Sequence, residues 1–400
     1  MLNQVELLKQ VIFIFFELLS FSIDSMCKTS HATIHSCLTV CYLCKVFCKE
    51  NIMIDLSQFD HNDAANPNNN IFGLPFSEEE ADLVILPVPW EVTVSYKAGT
   101  ARAPDHIFKA SLQVELFDND TNDMWRRGIF MRTADRKILL KSDYLRKEAE
   151  LYINYIAQDE NVNDNKFMFK TLKEVNEGSL LMNNWVYEQT KELLGQGKLV
   201  GLLGGDHSTA LGYFKAIAQK HGDFGILQID AHFDLRESYE GFHYSHASLM
   251  FNALKEIPQL KKLVQLGVRD YGDNEWKIVC DSEYKVICYF DRELKDRQCE
   301  GQTWQTIAEE IVNHLPDKVY VSFDIDGLDP KLCPNTGTPV MGGLESEQVF
   351  YILRKIIKSG RKLIGFDLSE VGISTNEWDE NVGARVLYKL CNYLLASNPR

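Results

Sequence analysis

The sequence predicts a three-layer α/β/α fold around a mostly parallel central sheet. From Ser179 onward, short apolar runs alternate with helical stretches, and repeated βα units give parallel strands with helices on both faces. The apolar runs are continuous rather than alternating, the mark of strands buried on both sides. Three acid-rich stretches each follow such a run: Gly204-Gly205-Asp206-His207, Asp230-Ala231-His232-Phe233-Asp234 and Ser322-Phe323-Asp324-Ile325-Asp326-Gly327-Leu328-Asp329-Pro330. In open α/β sheets ligands bind at the carboxyl ends of strands, so stretches far apart in sequence can meet there.

The elements follow in order. Asn62 to Asn70 is a polar loop with nothing to bury. Asp82 to Pro89 reads as the first buried strand, ended by its prolines, and Gly99 to Ala110 leads into a helix with Pro104 in its first turn. Residues 117 to 178 are polar and read as an insertion or lid-like excursion, with an amphipathic helix around Leu145 to Ile156. Leu181 to Leu194 is expected to be helical, Leu199 to Leu203 a strand, Ala210 to His221 a helix and Gly225 to Ile229 a strand. Further strands are expected at Leu263 to Gly267, Tyr284 to Tyr289, Val319 to Phe323 and Leu363 to Leu368, with helices such as Ser346 to Ser359 between them.

The chain has 400 residues, 45% of them apolar, and a net charge of -15. That composition is globular and long enough for a three-layer core. The negative charge argues against nucleic acid or an anionic membrane as partner, and suits a small cationic ligand drawn to an acidic mouth. Residues 1 to 52 stand apart as an extension. Their apolar run at 11 to 23 is interrupted by Glu17 and is shorter than the roughly 20 residues of a spanning helix. It also lacks the basic flank and cleavage site of a signal peptide, so a cytoplasmic location is expected. Cys37, Cys41, Cys44 and Cys48 would share a helical face, a spacing that can hold an iron–sulfur cluster, but nothing downstream reads as a radical enzyme. Met53 is expected to open the working polypeptide, with residues 53 to 400 as the catalytic domain.

The chemistry lies in the acidic stretches. At the end of an extended segment alternate side chains point the same way, so Asp230, His232 and Asp234 can converge on one site. Asp324 and Asp326 repeat the alternation after Val319 to Phe323. Unpaired carboxylates at the end of a buried strand are unfavourable unless a cation or partner meets them. Carboxylates with imidazoles suit hard and borderline divalent cations, which turn water into a usable nucleophile.

In the wording and order of these motifs, over roughly residues 71 to 398, the chain resembles the ureohydrolase family, which includes arginase and agmatinase. The resemblance implies an arginase-like α/β/α fold with two manganese ions sharing a bridging hydroxide. It implies His207, Asp230, Asp234 and Asp324 around one ion and Asp230, His232, Asp324 and Asp326 around the other, with Asp230 and Asp324 bridging. It further implies that Asp234 orients the hydroxide, that His246 shuttles a proton to the leaving amine, and that Glu370 pairs with the guanidinium. His243 is a weaker candidate for the shuttle, and Asp367 is expected to be structural. The reaction implied is hydrolysis of a C–N bond in a small guanidino compound by metal-bound hydroxide, releasing urea.

Departures from the family pattern bear on substrate. Ala247 and Ala103 stand where glycine is usual, and the excursion at 117 to 178 is longer than in ordinary agmatinases. With the Asn-rich entry Asn68 to Phe76, these features resemble an agmatinase-like subgroup that includes guanidine hydrolases, for which the resemblance adds nickel as a metal. A lid over a smaller cavity would favour a small substrate, so agmatine and free guanidine are both expected, with arginine behind them. An arginase-fold amidohydrolase of the deacetylase type would use one zinc ion, and His207 and Asp326 together favour two ions. A formiminoglutamate hydrolase or a non-catalytic metal-binding relative would also carry motifs of this kind. A homotrimer or homohexamer is expected by analogy.

Overall fold

Among the described residues, short runs of branched and aliphatic side chains form eight strands, because a strand covered on both faces has no polar side to show. In the computed structural model, Leu56 and residues 59 to 400 are described. The strands are β1 (Leu83–Val88), β2 (Ile129–Met131), β3 (Leu199–Gly204), β4 (Phe224–Ile229), β5 (Leu260–Leu266), β6 (Val286–Tyr289), β7 (Lys318–Asp324) and β8 (Lys362–Ser369). They form one sheet in the order β2-β1-β3-β8-β7-β4-β5-β6, and every pairing is parallel. Every residue of β1 and β4 is buried.

Among the described residues ten α-helices accompany the strands: α1 (Ala103–Ser111), α2 (Arg136–Ile156), α3 (Lys166–Gly195), α4 (Leu211–His221), α5 (Leu249–Glu256), α6 (Asp273–Asp281), α7 (Asp291–Cys299), α8 (Trp304–His314), α9 (Ser346–Lys358) and α10 (Trp378–Ala396). One layer is built by α2, α3, α4 and α5 packed in succession, the other by α1, α10, α9 and α8. The expected three-layer fold is therefore present. The strand expected from Tyr284 starts only at Val286, because Glu283 and Tyr284 both adopt left-handed backbone conformations (φ 51° and 65°) and turn the chain before it can pair.

The segment 117 to 178 is more integrated than its polarity suggests. Ile129 to Met131 pairs with β1 as an edge strand, too short for periodicity to reveal. The expected helix at Leu145 begins nine residues earlier, at Arg136, where the Asp135 carboxylate accepts from the Lys137 and Ile138 amides as an N-cap. Helix α3, which the sequence pattern marks only from Leu181, starts at Lys166 under the same kind of cap from Asn165. Leu145, Ala149, Tyr152 and Val175 from this segment are buried in the core that α2 and α3 share with the sheet.

Among the described residues no helix is long and apolar enough to cross a membrane. The expectations for residues 1 to 52 and for Met53 as the start lie outside the described residues.

The strand order explains why distant motifs meet. β3, β8, β7 and β4 lie side by side, and each motif hangs from the carboxyl end of one of them. The sheet thus brings His207, Glu370, Asp324 and Asp230 to one edge.

Candidate metal centre

Each motif is held by backbone geometry before its side chains act. Gly205 N donates to Val88 O at 2.9 Å and Asp206 N to Trp90 O at 2.8 Å. A Cβ on Gly205 would lie 1.9 Å from Trp90 O, so only glycine lets this turn rest on the neighbouring chain. Asp206 then caps the following turn by accepting from Ser208 N at 3.0 Å. His207 is thereby fixed over the end of the sheet.

Asp230 Oδ1 accepts from His232 N at 2.6 Å, Asp326 Oδ1 from Ala231 N at 2.9 Å, and Asp324 Oδ1 from Asp326 N at 2.9 Å. The β4 and β7 loops are in this way laced together through the carboxylates themselves. Asp234 and Glu370 both lie in the left-handed region, at φ 56° and 62°. Such strain in non-glycine residues persists only where surroundings hold it. Around Glu370 they do: its N–H donates to Gly205 O at 2.8 Å, and the Thr336 hydroxyl donates to its carbonyl at 2.7 Å.

The side chains converge as two groups that share Asp230. His207, Asp230 and Asp234 form one, and Asp230, His232 and Asp326 the other. His207 Nδ1 lies 3.1 Å from Asp230 Oδ2, 2.8 Å from Asp234 Oδ2 and 3.5 Å from Asp324 Oδ2. His232 Nδ1 lies 3.0 Å from Asp326 Oδ2 and 3.5 Å from Asp230 Oδ1. On its far side His207 Nε2 meets Ser322 Oγ at 2.9 Å, with Asp367 Oδ2 at 3.5 Å. Asp367 is wholly buried behind the histidine.

These donors fit divalent cations. His207 Nδ1, Asp234 Oδ2 and Glu370 Oε2 are buried and make no hydrogen bond, although the nitrogen faces three carboxylate oxygens. Buried polar atoms are rarely orphaned unless something else meets them. Without cations the carboxylates are poorly accommodated. Burial lifts Asp324 and Glu370 well above the usual carboxylate range. Burial, with Asp230 beside it, pushes Asp234 up to about 7, and burial also raises Asp206 to about 7. Burial works against charge on Asp230 too, but His207 and His232 on either side outweigh it and hold it below its ordinary value.

A pH dependence follows. The raised values of Asp206 and Asp234 mean that folding takes up protons from roughly pH 4 to 7, and the raised Asp324 and Glu370 act in the same sense, so the cation-free protein loses stability as pH rises through that window. His246, depressed to about 3, and His221, depressed to about 4, act in the opposite sense between those values and the ordinary imidazole value, two groups against the four acids, to which the raised His207 and His232 add. Chelated protein is expected to melt at lower temperature at about pH 8 than at about pH 5. Manganese is expected to restore more at the higher pH, as read by scanning fluorimetry; equal shifts at both would contradict a cation site at these carboxylates.

A cavity of about 230 Å³ opens over both groups. Its walls include His246, Glu370, Ala247, Arg236, Tyr239 and Thr338. His246 stands edge-on to the Tyr239 ring, centroids 6.0 Å apart. Burial, with His232 and His207 nearby, keeps it neutral at physiological pH. His243 is exposed and does not line the cavity. Glu370 Oε1 accepts from His207 N at 2.9 Å, and Oε2 makes no hydrogen bond.

Two supporting residues are not evident from the sequence alone. Gln228 Nε2 donates to Asp230 Oδ2 at 2.7 Å, and Gln265 Nε2 donates to Gln228 Oε1 at 2.7 Å from the neighbouring strand. The available signal is an amide inside the apolar run of each strand, Ile226 to Ile229 in β4 and Leu263 to Leu266 in β5. Groups that orient metal ligands in this way commonly tune the site.

Comparison with known proteins gives the family. The model of the arginase family matches residues 81–392. The chain is 28% identical over 311 residues to an N(1)-aminopropylagmatine ureohydrolase of Thermus thermophilus, covering 78% of this chain and 89% of that one. It is 33% identical over 217 residues to a guanidinobutyrase of Pseudomonas aeruginosa, covering 51% of this chain and 63% of that one. Its fold resembles the crystal structure of an agmatine ureohydrolase of Thermoplasma volcanium, with a TM-score of 0.60 at 22% identity over 88% of this chain and 97% of that one. With the family model spanning most of the sequence and its motifs gathered at one sheet edge, this chain belongs to the arginase family.

Proposed function

We propose that this protein hydrolyses a C–N bond of a small guanidino compound, agmatine or free guanidine, and releases urea. The observation that carries the reading is the pair of imidazole–carboxylate groups sharing Asp230 beneath a cavity that Glu370 also lines, with one of its carboxylate oxygens free of hydrogen bonds. In this reading His207, Asp230, Asp234 and Asp324 hold one cation, and Asp230, His232, Asp324 and Asp326 the other. The two groups favour two ions over the single zinc of a deacetylase. Manganese is the expected metal, with nickel second. Two such ions would supply a nucleophile derived from water at neutral pH.

The protein's own groups do the rest. Glu370 binds the planar guanidinium, whose paired N–H donors match a carboxylate, and so holds the central carbon over the acidic floor. Asp234, fixed by its strained backbone, accepts a hydrogen bond from the attacking group and orients it. Attack makes the carbon tetrahedral, and one nitrogen must gain a proton before it leaves as an amine. His246 is neutral at rest, so it can take up a proton and pass it to that nitrogen. Guanidinium and water then become urea and ammonium, or urea and a protonated amine when the substrate carries a tail.

The experiment is urea release from agmatine, guanidine, arginine, guanidinobutyrate and formiminoglutamate after loading with manganese or nickel. Turnover is expected with agmatine or guanidine above the others. No urea from any guanidino compound despite full metal loading would instead mark a non-catalytic relative. The proposal also includes a homotrimer or homohexamer, checked by light scattering on the same preparation.

A further inference from the structure

The polar segment at 117 to 178 reads in sequence as a lid, yet none of its residues lines the cavity. Its helices grip the backbone of the two loops that do. On one side, Arg146 of α2 donates to Val92 O at 3.3 Å and, more closely, to Val94 O. Ser142 accepts from Glu91 N at 3.1 Å. The next residue after Val94, Ser95, is on the cavity wall.

On the other side, Asn176 of α3 holds the loop that carries Tyr239 and His246. Its Nδ2 donates to Gly241 O at 3.1 Å and its Oδ1 accepts from His243 N at 2.8 Å. The two bonds bracket Phe242, which is fully buried and packs on Tyr152 of α2 with centroids 5.4 Å apart. Gly241 has φ 82°, and a Cβ there would come within 3.0 Å of Tyr152 Oη and 3.2 Å of Leu172, so the turn is pressed against the helix pair. His246 follows three residues after the second bond.

We propose that the α2–α3 pair is a brace for the cavity rim and that Asn176 is a positioning residue for His246. Asn176 never touches substrate. By fixing the backbone on both sides of Phe242 it sets where the His246 ring stands, and a misplacement of about 1 Å in a proton-transfer group can lower turnover by up to about 100-fold. The inference rests on the proposed hydrolysis for its kinetic readout, but not for its structural one.

The test compares full-length, manganese-loaded wild type with Asn176→Ala, using Thr190→Ala as a control on the same helix. Thr190 is buried, its hydroxyl donates to Val186 O at 2.7 Å, and it does not line the cavity. Asn176→Ala is expected to lower kcat roughly 10- to 100-fold, with KM and metal content unchanged. Amide exchange in peptides spanning 239 to 248 is expected to quicken. Thr190→Ala is expected to lower Tm while leaving kcat and that exchange as in wild type. Unchanged exchange in Asn176→Ala, or an equal kcat loss in the control, would overturn the brace. If the wild type releases no urea, the proposed function fails on its own, and the exchange comparison still decides whether Asn176 holds the loop.

Discussion

Asp230→Asn is expected to abolish urea release and to strip both cations from the protein. Asp230 is the carboxylate common to the two ligand groups, with one oxygen 3.1 Å from His207 Nδ1 and the other 3.5 Å from His232 Nδ1. An amide in its place loses the negative charge and turns an NH₂ toward one side of the site. Both present oxygens already have N–H partners, His232 N on Oδ1 and Gln228 Nε2 on Oδ2. Whichever way the new amide turns, a donor then faces a donor. Bound cations lower the pKa of water from about 15.7 toward about 7, so activity is expected to fall by far more than ~10³-fold when they are lost. Elemental analysis should find well under one ion per chain. Full metal content with retained turnover would remove Asp230 from the role of shared ligand.

Glu370→Gln is expected to do different damage. Its Oε1 accepts from His207 N, and a glutamine oxygen can still accept that bond, so the fold and cation content should survive. The group lost is the anion facing the cavity. Removing one partner of a buried, hydrogen-bonded charge pair costs about 2–5 kcal/mol, or roughly 30- to 3,000-fold in kcat/KM at about 1.4 kcal/mol per tenfold. Burial raises the Glu370 carboxyl in the cation-free protein, so bound cations and an arriving guanidinium both favour its ionised form. Equal metal loss in the Asp230 and Glu370 variants would contradict this division between holding ions and holding substrate.

Much of the site is legible in the sequence because its spacing is local. Alternation along an extended segment puts Asp230, His232 and Asp234 together, and likewise Asp324 and Asp326, whatever the rest of the chain does. The structure gathers all of these with His207 at one edge, and puts His246 and Glu370 on the same cavity wall. Gln228 and Gln265 are not legible. A buried glutamine is unremarkable by type, and its task appears only when β4 pairs with β5 and the two amides meet across the ladder.

The segment 117 to 178 shows the opposite failure. Its surplus of charge marks a solvated face and hides the few positions, Leu145, Ala149, Tyr152 and Val175, that bury it in the core. Asp135 and Asn165 are present as N-cap signals, each before a first turn that mixes basic with apolar residues.

The sequence by itself determined the βα alternation, the fold class and the chemistry of the donors, because these depend on residue type and on spacings of a few residues. Tertiary structure alone decided that β3, β8, β7 and β4 would be neighbours, that Asp234 and Glu370 would be held in left-handed conformations, and that α2 and α3 would support the rim rather than cover it. The physical reason is the range of the forces involved. A hydrogen bond such as Asn176 to Gly241 joins residues 65 apart in sequence, and no local pattern records which distant backbone group will be there to accept it.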